Sequence, residues 1–308
     1  MDTLSRLVEL SHLQPTLDIR CRLEGTFHIN HEPAQAGVLP FHLVLAGSCT
    51  IRLRSGEQIV LQAGDFLLFP RGSAHILKNF GNASEPAAPF MVSHEGILPL
   101  RQNGLAADVD LLCGHFKCAP GSSDLLLGSL PDPFHASLAS LQNSDMLRTF
   151  VDLLRQETVL QQPGALVIVT GMCLCLLILA LRTRDAAPDR MPGLLALLAD
   201  PRLKKSVRAA MAAPGHHWTI EGLANLSAMS RATYARQFMA RAGMTVGDFL
   251  AALRMSVASD LLRGTRRSIA DIAAEVGYDS EAAFGKTFKA QNGVTPAKFR
   301  RRFLDGDF

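Results

Sequence analysis

The sequence predicts an α+β chain: a small β-barrel with appended helices, followed by an all-α domain built from two helix-turn-helix units. Three observations carry this. The first hundred residues read as short apolar or alternating runs separated by Gly-containing turns, the pattern of an antiparallel barrel or sandwich. From about Phe134 the apolar spacing becomes helical. In the last third, one segment occurs twice, 50 residues apart. With 308 residues there is room for two cores, and 48% hydrophobic against 19% charged residues excludes a disordered chain.

The strand candidates, in order, are Phe41–Leu45, Thr50–Leu53, Gln58–Leu61 and Phe66–Phe69, with breaks at Ala46-Gly47, Ser55-Gly56 and Ala63-Gly64-Asp65. A helix is predicted over Asp145–Leu160, followed by Ala165–Leu181, a run of 17 uncharged residues. That run is near the length of a membrane span. With a single such segment and an N-terminus that lacks an apolar signal region, it reads instead as a helix buried in a core or a dimer interface, with no membrane partner. Arg184–Pro192 has the composition of a linker. The division expected is 1–183 as a sensing and dimerising domain, 184–199 as linker, and 200–308 as a helical domain.

Charge follows the same division. Residues 1–200 hold 14 Lys+Arg against 19 Asp+Glu, whereas residues 201–308 hold 17 against 9. A basic C-terminal third on an acidic remainder points to one domain that meets a polyanion, or more plainly to a solvated charged surface. All six cysteines (21, 49, 113, 118, 173 and 175) lie in the acidic part. A cytoplasmic chain keeps such thiols reduced, so redox sensing or metal binding are their functional options.

The repeat gives the basic third its meaning. Ser230 to Phe238 aligns with Ser280 to Phe288, and the register continues through Gly243/Gly293, Thr245/Thr295 and Phe249/Phe299. Upstream, Thr219-Ile220 and Ser268-Ile269 correspond with an offset of one residue. In each copy a Thr or Ser caps a short helix, a turn follows, and a Ser caps a second helix. Aromatic residues at i and i+4 (Tyr234 and Phe238, Phe284 and Phe288) mark the core face of that second helix. Its other face carries small and charged residues, which suits entry into a DNA major groove. Val246–Arg263 reads as a long helix that spaces the two units.

The second copy contains I-A-x-x-V-G-Y-x-S, F-x-x-x-F-K, G-x-T-P and F-R, and the segment from about Asp200 to Phe303 resembles the AraC/XylS-type DNA-binding domain. The resemblance implies promoter DNA as partner, RNA polymerase as the machinery addressed, an activating role, and a homodimer. It also implies DNA-contacting positions: Ser230, Arg231, Ala232, Ala235 and Arg236 in the first unit, and Ser280, Glu281, Ala282 and Lys286 in the second.

In the N-terminal domain, Gly64 to Asn79 fits the second cupin motif, G-x5-P-x-G-x2-H-x3-N, with His75 as its histidine. The resemblance implies a cupin-like β-barrel. The first cupin motif is not intact: its Glu position falls on Pro40 and its His positions on alanines, which argues against cupin-type metalloenzyme catalysis. His42, two residues after Pro40, is placed by strand alternation to face the same cavity. The chain around Cys21, Phe41-His42, Gly64–His75, Leu112–Phe116 and Pro214–Thr219 resembles the reactive-chlorine-responsive regulator type of the AraC family. That likeness implies Cys21 and Cys113 as a redox-active pair, with Arg20, Arg22 or His115 as neighbours able to lower a thiol pKa. Two further readings use the same atoms. Cys21, His42, His75 and Cys113 make a zinc or copper set if they converge, or the barrel binds a small ligand and the cysteines are buried small hydrophobes. No other cofactor is expected, and the remaining four cysteines are expected to be structural.

Overall fold

A computed structural model describes residues 2–79, 89–118, 124–128, 130–138, 144–160, 162–185 and 193–304. Internal contacts group the chain into two compact units, Gln14–Lys117 with Pro131–Ala186, and Met1–Leu13 with Cys118–Leu130 and Ala187–Phe308.

The first unit is a curled ten-stranded sheet organised around one strand, β3 (Val38–Leu53). Its N-terminal half pairs antiparallel with β5 (Asp65–Leu68) and β9 (Val109–Lys117), and its C-terminal half with β4 (Gln58–Gln62) and β6 (His75–Asn79). The expected break at Ala46-Gly47 is therefore no break: it is a bulge inside a 16-residue strand, where the pairing with β9 shifts register between Val44 and Ala46. Gly47 has φ +73°, and a Cβ there would run into the backbone carbonyl of Asp108. Only glycine takes both the left-handed turn and the close approach. The turn between Leu53 and Gln58 and that between Gln62 and Asp65 end strands as the composition indicates.

β1 (Gln14–Leu23) lies antiparallel to β9 on its other side, and β8 (Leu100–Gln102) runs parallel beside β1. β7 (Met91–Ser93) completes that edge, β2 (His28–His31) pairs with β6, and β10 (Phe134–Ser137) pairs with β5. Cys21, Phe27, Val44, Leu67, Phe69 and Cys113 are among the residues that fill the interior.

Two helices close this unit, α3 (Ser144–Leu160) and α4 (Ala165–Asp185). α4 contains the apolar run, and it packs on β1, β10 and α3. Its buried residues, Ala165, Val169, Met172, Cys173, Leu176, Leu177, Ala180 and Leu181, recur every three or four positions, so one face serves the core. By length and composition α4 is able to cross a membrane, but 44% of its 18-residue apolar window is buried within the protein.

The second unit begins with α1 (Thr3–Ser11), whose N-cap Asp2 accepts from the Ser5 amide. It continues with α2 (Asp124–Leu127), α5 (Leu194–Ala199), α6 (Lys204–Ala212), α7 (Ile220–Leu226), α8 (Arg231–Ala242), α9 (Val246–Gly264), α10 (Ile269–Glu275), α11 (Glu281–Asn292) and α12 (Pro296–Leu304). Two expected boundaries differ. The stretch 184–199 is not a linker throughout: α4 runs to Asp185 and α5 is a helix with Leu194, Leu195 and Leu197 buried against α6 and α8, while 186–192 lie outside the described residues. Residues 2–13 belong with the helical unit rather than the barrel, because Leu7 and Leu10 are buried there and Arg6 and His12 reach Asp260 of α9.

Thr219, Ser230, Thr245, Ser268 and Ser280 are N-caps, each side-chain oxygen accepting from a backbone amide three residues on. Thr245 and Asp248 form a reciprocal capping box at the start of α9. The aromatic pairs are core residues as spaced: Tyr234, Phe238, Phe284 and Phe288 are fully buried. Each such side chain stabilises the unit by roughly 1.5–3 kcal/mol through burial alone. The one-residue offset in the repeat is Asp279. The turns match up to Ala228 (φ 51°) and Gly277 (φ 81°), after which Met229-Ser230 corresponds to Tyr278-Asp279-Ser280.

Candidate functional site

A chain of short contacts crosses the barrel interior. Ser73 O accepts from His75 Nδ1 at 2.9 Å, His75 Nε2 meets His42 Nε2 at 2.7 Å, and His42 Nδ1 meets Cys113 Sγ at 3.1 Å. The carbonyl can only accept, so His75 carries its proton on Nδ1 and presents a lone pair at Nε2. His42 must then donate from Nε2, which leaves its Nδ1 to accept from the Cys113 thiol. His42 and His75 are almost fully buried, and burial pushes both imidazoles below the usual histidine range, which keeps them neutral.

His31 completes the group. Its ring stacks on His75 with centroids 4.6 Å apart and meets His42 edge-on at 4.9 Å. Burial, with the nearby His75 and Arg101 charges, lowers its pKa to about 4. His31 Nε2 is buried without a hydrogen-bond partner.

On the other side of Cys113 lies Cys21. In the β1–β9 ladder Ile19 opposes Cys113 and Cys21 opposes Leu111, so the two cysteines are diagonal neighbours on one face of the sheet. Each side chain is the largest influence on the other's ionisation. The neighbouring Cys113 side chain holds the Cys21 thiol below the ordinary thiol range, with burial opposing and the Arg101 guanidinium helping. Cys21 and burial in turn push Cys113 well above it. Cys21 is therefore the sulfur that ionises, and Cys113 the one that keeps its proton, between two acceptors. Arg101 reaches Cys21 because the two are paired across the parallel β1–β8 ladder.

The helical unit presents a second surface. On α8, Arg231, Ala232 and Arg236 are exposed and Ala235 half-buried; on α11, Glu281, Ala282 and Lys286 are exposed and Gly285 half-buried. Both helices thus turn the same face outward, while Tyr234/Phe238 and Phe284/Phe288 hold the opposite face in the core.

Residues 2–184 match the Cupin family and residues 223–302 the Helix-turn-helix domain family. Full-length relatives include an uncharacterized HTH-type transcriptional regulator of Haemophilus influenzae, 33% identical over 98% of this chain and 99% of its own length. The RCS-specific HTH-type transcriptional activator RclR of Escherichia coli K12 is 30% identical, covering 98% of each chain. The HTH-type transcriptional regulator MtrA of Neisseria gonorrhoeae is also 30% identical over 98% of each. The chain belongs to the AraC family of transcriptional regulators. It binds DNA sequence-specifically through its helix-turn-helix domain, as do the transcriptional regulators it resembles.

Within this AraC-family regulator the expected site residues are distributed as follows. Cys21 and Cys113 come together. His42 and His75 come together, both in the barrel. The expected set of Cys21, His42, His75 and Cys113 does not converge on one point, because Cys113 and His75 meet opposite nitrogens of the His42 ring. Arg20, Arg22 and His115 are not the thiol's neighbours. Arg20 is bound to Asp110 at 2.7 Å and His115 to Asp18 at 2.8 Å, and strand alternation turns Arg20 and Arg22 to the face opposite Cys21. Ser230 and Ser280 are exposed, and their hydroxyls cap α8 and α11 by accepting from Thr233 N and Ala283 N at 3.3 and 3.2 Å. Two residues were missed: His31, which is in register with His75 on β2 and β6, and Arg101. The phrase H-I-N-H has the alternation of a strand and offered a signal for His31. Arg101 offered none, since its strand is three residues long and its partner is remote in sequence.

Proposed function

We propose that this regulator senses a chlorine-donating oxidant by joining Cys21 to Cys113, and that it then activates transcription. The observation that carries this is the diagonal placement of Cys21 and Cys113 on one face of the sheet, with Arg101 paired to Cys21 and ionisation biased toward Cys21. The name of the Escherichia coli relative, an RCS-specific activator, supports the choice of oxidant. The chemistry balances in two steps. The Cys21 thiolate takes Cl⁺ from hypochlorous acid, giving a sulfenyl chloride and hydroxide. Cys113 sulfur then attacks Cys21 sulfur, chloride leaves, and the Cys113 proton passes to His42 Nδ1 and on to the hydroxide, forming water. Closing this diagonal pair to the roughly 2.05 Å of a disulfide draws β1 and β9 together. β1 follows α1 directly in the chain, which gives the strain a covalent route into the helical unit.

Promoter recognition is assigned to the outward faces of α8 and α11: Arg231, Ala232, Ala235 and Arg236, then Glu281, Ala282 and Lys286. Arg236 suits guanine, to which a guanidinium makes two hydrogen bonds, and the alanines suit thymine methyl groups. The protein acts as a cytoplasmic homodimer that addresses RNA polymerase at the promoter.

The deciding experiment is peptide-level mass spectrometry of thiol state before and after one equivalent of hypochlorite on reduced, full-length protein. A selective Cys21–Cys113 disulfide that is absent in Cys21→Ser is the expected result. Oxidation spread evenly over the six cysteines and the methionines would defeat the sensing proposal and leave DNA recognition untouched.

A further inference from the structure

We propose that His31, His42 and His75 form a binding site for a zinc- or copper-class metal ion. The three rings each offer one nitrogen, and these ligand atoms all lie within 4.8 Å of one another. Imidazole nitrogen suits zinc and copper, and three histidines leave one coordination position for water or an anion.

The orientation of the rings makes the case stronger than proximity does. Ligating histidines are fixed by a hydrogen bond at the nitrogen that does not bind the metal. His75 has its Nδ1 tied to Ser73 O at 2.9 Å, and its Nε2 faces His42 Nε2 at 2.7 Å. On metal binding His42 moves its proton from Nε2 to Nδ1, where Cys113 Sγ lies at 3.1 Å to accept it, so both rings present an Nε2 lone pair to the ion. His31 Nε2 is buried with no hydrogen-bond partner, a desolvated lone pair that a bound ion would satisfy. A cavity of about 270 Å³ lined by His31, His75, Asn30, Glu32 and Arg52 opens beside the rings and provides access. Arg101 also faces this group, and its charge opposes a cation.

Only His75 belongs to the cupin motif. His31 comes from β2 and His42 from β3, two residues past Pro40, so this set differs from the motif's own ligand positions. The inference does not rest on thiol oxidation. A chain that binds metal while its thiols stay inert satisfies one and defeats the other, and the reverse also holds.

The test uses reduced, chelator-treated, full-length protein titrated with Zn²⁺ against a chromophoric zinc chelator, and with Cu⁺ against a copper(I) probe under anaerobic conditions. One equivalent of at least one ion should bind per chain. His31→Gln and His75→Gln should each weaken binding by more than the roughly 10–100-fold that loss of a supporting group costs, while Cys21→Ser changes it by less than about 10-fold. Should His75→Gln fail to fold, His31→Gln decides, since His31 is only partly buried and its variant can be checked for unchanged DNA affinity. Zinc or copper preference identifies the ion and supports the site either way. Absence of binding by both ions overturns the proposal. So does wild-type affinity in His31→Gln, which would place the ion elsewhere, for instance at His216 and His217.

Discussion

Asp260, on α9, faces His12 at 2.8 Å and two guanidinium groups, Arg6 at 3.9 Å and Arg263 on its own helix. The hydrogen bond from His12 is the largest influence and, with these charges, holds the carboxyl below its ordinary value of 3.8 against the opposing effect of burial. The sign follows from linkage. The folded chain keeps Asp260 ionised to lower pH than the unfolded chain does, so the stabilisation is complete above about pH 3.8 and is lost as pH falls through the depressed value. The pair is about 30% exposed, with Asp260 at 29% and His12 at 36%, so it contributes at most about 1 kcal/mol. Asp260→Asn should lower the melting temperature at neutral pH, and its deficit against wild type should shrink below pH 4. Thermal melts across pH would check this, and a deficit that persists unchanged in acid would contradict it. Such pairings are poorly legible in sequence because they join residues 248 positions apart. The thiol environment shows the same limit. Alternation along one strand correctly placed His42 beside His75, but the cation near Cys21 comes from another strand, and sequence adjacency pointed to Arg20 and Arg22, which strand pleating turns away.

Among the elements, α8 and α11 were the most legible, because capping, aromatic spacing and basic charge agree and recur. Their exposure pattern is the same position by position from 284 to 290 as from 234 to 240. Identical presentation with different side chains predicts unequal roles. Arg236→Ala should cost about 1–3 kcal/mol on the cognate promoter and relax base preference at one position, whereas Lys286→Ala, if it meets phosphate, should weaken all sequences alike and lower the salt slope by about one. Binding titrations at several salt concentrations, on cognate and scrambled DNA, separate the two. Equal loss on both DNAs for Arg236→Ala would remove it from base reading. The barrel strands were less legible. Gly47 reads as a turn in sequence, since a left-handed glycine ends most strands; here the same conformation bends one continuous strand, because β9 and Asp108 are there to pair with it. Local composition sets the φ angle, and the partner strand decides whether the ladder continues.

For the whole molecule, α4 poses the question of assembly. Its core-facing stripe is satisfied by β1 and β10, yet Leu166, Val167 and Ile168 at its start are 47%, 77% and 44% exposed, and Val159 and Leu160 at the end of α3 are 62% and 60% exposed. Five large apolar side chains on adjoining turns form a patch of the kind that marks an interface. A second copy is the natural occupant. Pairing two chains would double the helix-turn-helix units on one operator and multiply effective concentration without new base contacts. A stable dimer needs roughly 800 Å² per partner, so the patch would act as the centre of a larger surface. Val167→Glu tests this without endangering the fold, since the side chain is already in solvent. Sedimentation should show wild type as a dimer at micromolar concentration and the variant as a folded monomer with reduced promoter affinity. A wild type that stays monomeric, or a variant that dimerises normally, would place the assembly surface elsewhere. In that case the apolar run would need another partner.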